Sequence, residues 1–173
     1  MTRLAILVAP DPLLKKPAAR VARVDNSVRT LMDDMLDTMY AAPGIGLAAP
    51  QVGDLRQVVV IDIARKDESP APLCLANPEI VWSSPELGTY EEGCLSVPEH
   101  YAEVTRPDRV RVRYLDRQNE IREIEADGLL ATVLQHEMDH LQGVLFVDHI
   151  SSLKRGMILR KLTKAKKQAL EKG

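Results

Sequence analysis

Gln135-His136-Glu137-Met138-Asp139-His140-Leu141-Gln142-Gly143 places two histidines four residues apart. On a helix of about 3.6 residues per turn they project from one face, at a separation where two imidazoles can grip one metal ion. Glu137 lies beside them on the same arc. The pattern His-Glu-x-x-His on a helix supplies two ligands and a carboxylate that moves a proton to or from a bound water.

The helix is testable on its own. At about 100° per residue, Leu130, Leu134, Met138 and Leu141 form one stripe, and Thr132, Gln135, Asp139 and Gln142 form another. His136 and His140 fall outside both, on a side shared with Leu129 and Val133. The wheel predicts a core face, a wet face and a metal face floored by two apolar residues. Asp127, before Gly128, can cap its start and Gly143 can end it. A central, largely buried helix follows.

The rest of the chain supports one domain, residues 1–173, long enough to bury a core without disulfides. A net charge of −2 sets up no global field toward nucleic acid or membrane. Aromatics make up only 3%, which excludes a base-stacking surface and leaves an aliphatic core. Two cysteines, Cys74 and Cys94, are too few for a disulfide framework. The apolar run at 4–9, closed by Pro10, is too short for a signal peptide or membrane span. A soluble cytoplasmic protein is expected.

Pro10, Pro12 and Pro17 make residues 1–23 an extended arm with little regular structure. Asp25 or Asn26 then caps a helix whose Val28, Leu31, Met32, Met35, Leu36 and Met39 recur at helical spacing until near Pro43. Residues 44–51, Gly-Ile-Gly-Leu-Ala-Ala-Pro-Gln, form a small-residue loop. Its glycines allow close backbone approach and Gln51 carries an amide donor, although a plain turn is the commoner reading of such a loop. Strands are expected at 57–63, 73–76 and 79–83, the last two interrupted by Asn77-Pro78, with Cys74 as a small core residue. Val104, then 109–115 and 121–126 alternate apolar and polar residues as an antiparallel pair does, with 116–119 as the turn. Residues 144–150 connect to a final helix, capped by Ser151 or Ser152 and running to the carboxyl terminus. That helix carries Lys154, Arg155, Arg160, Lys161, Lys164, Lys166, Lys167 and Lys172 against the single acid Glu171. Such charge is usually a solvated face; its functional alternative is docking on a polyanion such as ribosomal RNA.

A catalytic metal takes three protein ligands and keeps one open position. The extended protease pattern would put a third histidine at position 146, which is Phe146. A downstream glutamate ligand is also missing, since Asp148 is the only acid between His140 and Glu171. His149 fits neither scheme and reads as a surface or helix-capping residue. The ligand is therefore sought upstream, with Cys94 first, in Glu91-Glu92-Gly93-Cys94-Leu95-Ser96, and His100 second. A thiolate with two imidazoles leaves one corner for water.

Three stretches together, 44–51 (GIGLAAPQ), 92–96 (EGCLS) and 135–143 (QHEMDHLQG), resemble the peptide deformylases in order and spacing. The resemblance implies an α+β fold, with antiparallel sheets wrapped around the central metal-binding helix and a C-terminal helix. It implies removal of the formyl group from N-terminal formyl-methionine of nascent polypeptides, releasing formate. Cys94, His136 and His140 would be the metal ligands, and Glu137 the general base and acid acting on a metal-bound water. The Gln51 side chain and the Leu95 backbone N–H would face the developing oxyanion. Gly44 and Gly46 would let backbone run beside an extended peptide, Ile45 would wall the methionine pocket, and Leu129 and Val133 would floor it. Glu92 and Arg106 would pair to brace the cysteine loop. Tyr101 departs from the arginine that many bacterial members carry there, which leaves peptide contacts beyond the first residue open.

One divalent ion is implied, Fe²⁺ physiologically, with Zn²⁺, Ni²⁺ or Co²⁺ acceptable to the same donors. The expected partners are N-formylmethionyl nascent peptides and, through the basic final helix, the ribosome; no membrane is involved, and a monomer is expected. Two alternatives stay beside this reading: a metallo-amidase or peptidase of other specificity, and a ribosome-binding homologue that has lost catalysis.

Overall fold

A run of four β-branched residues sets the centre of the molecule. Val58, Val59, Val60 and Ile61 form strand β2 (Val58–Ile61), and all four are buried. Because successive side chains of a strand face opposite ways, Val58 and Val60 pack toward one cluster and Val59 and Ile61 toward another. The strand lies in a five-stranded antiparallel sheet of order β1-β2-β3-β6-β7. Its other members are β1 (Gly46–Ala48), β3 (Leu73–Ser83), β6 (Arg109–Leu115) and β7 (Ile121–Asp127). The computed structural model describes residues 2–172; Met1 and Gly173, at the ends of the expected arm and final helix, lie outside them.

Helix α1 (Asn26–Ala41) covers one face of this sheet with Val28, Leu31, Met32, Met35 and Met39. Asp25 caps it, its carboxylate accepting a hydrogen bond from the Val28 N–H at 3.1 Å. Helix α2 (Gly128–His140) covers the other face with Ala131, Val133 and Leu134. Gly143 closes α2 at φ +74°, and a Cβ there would stand 2.4 Å from the Lys15 carbonyl oxygen, so only glycine fits.

The remaining strands, β4 (Leu87–Cys94) and β5 (Val97–Pro107), pair antiparallel as a separate two-stranded sheet. Val97 and Val104 of this hairpin share a third cluster with Ala9, Leu14, Leu145, Phe146, Val147 and Leu162. Leu162 is the one buried residue among those described in α3 (Ser152–Lys172), whose start is capped by the Ser151 hydroxyl accepting from Lys154 N–H. An α+β fold with antiparallel sheets around α2 results.

Three expectations are corrected. The strands at 73–76 and 79–83 are one strand, because Asn77 takes φ +48° and the register shifts there instead of breaking. The arm is not wholly irregular: Pro12–Lys15 forms a 3-10 turn capped by Asp11, and Ala19 bridges to Arg56. The wet stripe of α2 is mostly covered. Thr132 and Gln135 are buried, and Gln135 donates to the Pro107 and Ala131 carbonyl oxygens. Hydrogen bonding removes the cost of burying an amide, so polarity did not mean exposure here.

Candidate metal centre and active site

Cys94 ends β4, while His136 and His140 stand one turn apart on α2. The Cys94 sulfur and one nitrogen of each ring lie within 4.8 Å of one another. Among the described residues, no fourth histidine, cysteine or carboxylate joins the group. One thiolate and two imidazoles suit a divalent first-row metal, and a three-donor set leaves a position for water. The group fits the metal that the sequence motif implies.

The surroundings fix His136. Glu92 Oε1 lies 2.9 Å from His136 Nδ1, which leaves Nε2 to face the ligand group. Arg106 forks onto the same carboxylate, Nε to Oε2 at 2.7 Å and Nη2 to Oε1 at 2.9 Å, as the resemblance implied. Burial alone would raise the Glu92 carboxyl, but the Arg106 guanidinium and the His136 ring outweigh it and bring it down to about 2. A carboxylate bonded to the second nitrogen of a ligating histidine sets the ring's orientation and its basicity.

Glu137 has the opposite character. It is buried, and its Oε1 has no hydrogen-bond partner among the described residues. Burial pushes its carboxyl up to about 7, against the pull of His136. A carboxyl held there can exchange a proton near neutral pH. Gly46 makes room for it: a Cβ at that position would lie 2.5 Å from Glu137 Oε2 and 2.9 Å from Val133 Cγ1.

The 44–51 stretch is more than a turn. Gly46–Ala48 is β1, the edge strand of the large sheet, and a 3-10 turn over Ala49–Val52 carries Gln51 inward. The Gln51 Oε1 accepts from Ala48 N–H at 2.9 Å, and its Nε2 donates to Ser96 Oγ at 3.0 Å with Cys94 Sγ 3.5 Å away. The amide is thereby held at both ends beside the metal group.

A cavity of about 590 Å³ opens onto this group. Gly44, Ile45, Gly46, Gln51, Leu95, Leu129, Val133, His136 and Glu137 all line it, together with Cys94. Val133 is buried and belongs to the floor, but Leu129 is 52% exposed and Ile45 42%. Leu129, in the first turn of α2, lines the cavity from a more exposed position than Val133. His100, second choice as ligand, lies on β5 and lines the cavity without joining the three donors. Tyr101 also lines it, 66% exposed, with its ring over Gly93.

The polypeptide deformylase family model matches residues 3–156. The chain belongs to the peptide deformylase family. A peptide deformylase from Methylocella silvestris is 62% identical over 165 residues, covering 94% of this chain and 84% of that protein. A crystal structure of the enzyme from Ehrlichia chaffeensis superposes with a TM-score of 0.93 at 39% identity, covering 98% of this chain and 99% of the other. The Ehrlichia enzyme in complex with actinonin gives 0.91 at 41% identity over 95% and 98% of the two chains. Members of the family are metal-dependent enzymes, and the Cys94, His136 and His140 group is where this chain can bind such an ion. Among the described residues, no helix is long and apolar enough to cross a membrane.

Two further residues belong to the site. Ser96 anchors the Gln51 amide, and Asp139 takes the outer edge of Arg106, Nη1 to Oδ2 at 2.8 Å. Ser96 stands inside a recognised motif and was legible as a candidate. The partner of Asp139, on α2, comes from strand β5, and spacing carries no sign of it.

Proposed function

We propose that this chain is a single catalytic unit that hydrolyses the N-terminal formyl group of formyl-methionyl nascent peptides, releasing formate and a free amine. The observation carrying this is that Cys94 and His136, two members of the three-donor group completed by His140, meet the Gln51 amide and a buried, partnerless Glu137 carboxyl on one cavity. Cys94, His136 and His140 would hold one divalent ion, ferrous iron in the cell, with zinc, nickel or cobalt accepted in its place. When bound, that ion supplies an acidified water and a pull on the formyl oxygen.

The chain's own groups do the rest. Glu137, with its carboxyl near 7, takes the water's proton and returns it to the departing nitrogen. Gln51 Nε2 and the Leu95 N–H donate to the oxyanion, each such donor being worth roughly 10²–10³ in rate. The β1 edge, with Gly44 and Gly46, offers backbone groups to an extended peptide, as sheet edges do. Ile45, Leu129 and Val133 enclose the methionine side chain. Formyl is preferred to acetyl because hydrogen fits at the carbonyl carbon where methyl does not. The protein works as a cytoplasmic monomer, and the exposed basic residues of α3 would meet ribosomal RNA.

Formate release from a formyl-Met tripeptide and acetate release from its acetyl counterpart test the reading on metal-loaded protein. Turnover of the formyl peptide alone is expected. Similar rates on both would remove the steric account, and hydrolysis of internal peptide bonds instead would replace the assignment with a peptidase.

A further inference from the structure

The short 3-10 turn Phe146–His149, just beyond α2, folds back onto the metal helix and touches it in two ways. The Phe146 ring stacks on His136, centroids 6.1 Å apart and planes 26° from parallel. His149 Nε2 lies 2.8 Å from Asp139 Oδ2, the same oxygen that accepts from Arg106 Nη1 at 2.8 Å. From there the line of contacts runs through the Arg106 fork to Glu92 and from Glu92 Oε1 to His136 Nδ1. Every link is within hydrogen-bond distance. Asp148 fixes the turn itself, pairing with Lys15 and accepting from the Leu145 N–H.

We propose that His149 is a positioning residue for the metal centre, holding His136 in its ligating orientation through Asp139, Arg106 and Glu92. The inference rests on Cys94, His136 and His140 being the ligands. Arg106 has three hydrogen-bonding edges, two on Glu92 and one on Asp139. Were Asp139 to swing away, the guanidinium would lose the contact that sets its tilt, and the Glu92 carboxylate would follow it. Asp139 is partly open to solvent, its side chain 27% exposed, so it needs a second tether. His149 provides one from a different element, and a two-point hold restricts a carboxylate more than a single bond does. Outer partners of ligating histidines govern metal retention at a level of about 10–100-fold. His149 is the partner at the surface end of this line, with its side chain 37% exposed, so it can be replaced without opening the core.

The test uses the full chain loaded with Co²⁺, comparing wild type with His149→Phe, which keeps a ring and loses the donor, and His149→Gln, which returns an amide donor. Transfer of the metal to a chromogenic chelator gives its dissociation rate, and the visible spectrum of the bound cobalt reports the ligand field. Thermal midpoints check that all three proteins are folded. In His149→Phe the metal is expected to leave about tenfold faster with a changed cobalt spectrum, and His149→Gln is expected to restore both toward wild type. Equal dissociation rates and spectra in wild type and His149→Phe overturn the inference while leaving the ligand assignment intact. A Gln variant as poor as the Phe variant overturns it too, since shape and not the bond would then matter. Failure of the wild-type protein itself to bind Co²⁺ would remove the ligand assignment and the inference with it.

Discussion

Helices α2 and α3 follow one another in the chain and are built on opposite terms. The shorter, Gly128–His140, buries eight of its 13 residues, including Thr132, Gln135, His136, Glu137 and His140. The longer, Ser152–Lys172, buries only Leu162 among its 21. In α2, polar atoms are withdrawn from water and are given specific partners, Pro107 for Gln135 and Glu92 for His136. Glu137 Oε1, at the cavity, and His140 Nδ1 are the exceptions among the described residues, buried with no hydrogen-bond partner. In α3 the basic side chains face solvent, which stabilises a charge without fixing its direction. Chemistry that depends on sub-ångström placement belongs on the first kind of helix, and diffuse attraction on the second.

The contrast breaks most visibly at Glu137. Glu137→Gln is nearly isosteric and is expected to lower kcat for formyl-peptide hydrolysis by roughly 10²–10⁴-fold, with metal content by elemental analysis unchanged. A variant of undiminished rate would mean that the buried, partnerless carboxyl is incidental.

Acid sharpens the comparison at a smaller scale. Asp62 is buried at the end of the β2 region, where it accepts hydrogen bonds from Tyr40 Oη, Ala64 N–H and Ala71 N–H. Burial opposes its charge, but the Tyr40 hydroxyl and the two amides outweigh it and hold the carboxyl below its usual value. A carboxyl depressed in the folded state contributes stability that is complete above the usual aspartate range and is lost as pH falls through the lowered value. Asp62→Asn should therefore flatten the loss of stability that sets in below about pH 5 and continues as pH falls through the lowered value, while costing about 1–3 kcal/mol at neutral pH by denaturant unfolding. An acid limb identical to wild type would rule out this carboxyl as a contributor.

The smallest effect is expected at the far end of α3. Removing residues 164–173 leaves Leu162 in its cluster and takes away only one acid, Glu171. Stability should change by less than about 0.5 kcal/mol, the acid limb should be unaltered, and turnover of short free peptides should stay within about twofold of wild type. A large loss of peptide turnover would show that α3 is part of the site after all.

The same division explains what the sequence let through. Helical periodicity located α1 and α2, because an apolar stripe is a one-dimensional pattern; of the two expected N-caps, Asp25 bonds the Val28 N–H, whereas Asp127 stands at the start of α2 with no side-chain capping bond. The hairpin of β6 and β7 was equally plain from its alternation around 116–119. Strand β4 has no strand signature in the sequence: Leu-Gly-Thr-Tyr-Glu-Glu-Gly-Cys shows no clean alternation, since it buries a charged Glu92 against Arg106. A wheel sorts Thr132 and Gln135 to the wet side by polarity alone, whereas burial depends on whether a partner is waiting. Asn77-Pro78 suggested a break, yet Asn77 tolerates φ +48° and its side chain bonds both Val21 N–H and Val21 O, which keeps β3 whole. For the site, the three donors that meet, Glu137 and Gln51 are nameable from motifs. What motifs lack is distance between segments, so the contact of His149 with Asp139 had no signature.

Cys94 and His140 meet across 46 positions of chain, and Glu92 and His136 across 44. Chains emerge from synthesis amino end first and fold as they lengthen. A molecule interrupted between residues 127 and 139 carries the hairpin and the large sheet's strands but lacks part of the donor set. Competence therefore arrives late and all at once, and truncated synthesis yields inert fragments instead of a half-formed hydrolase.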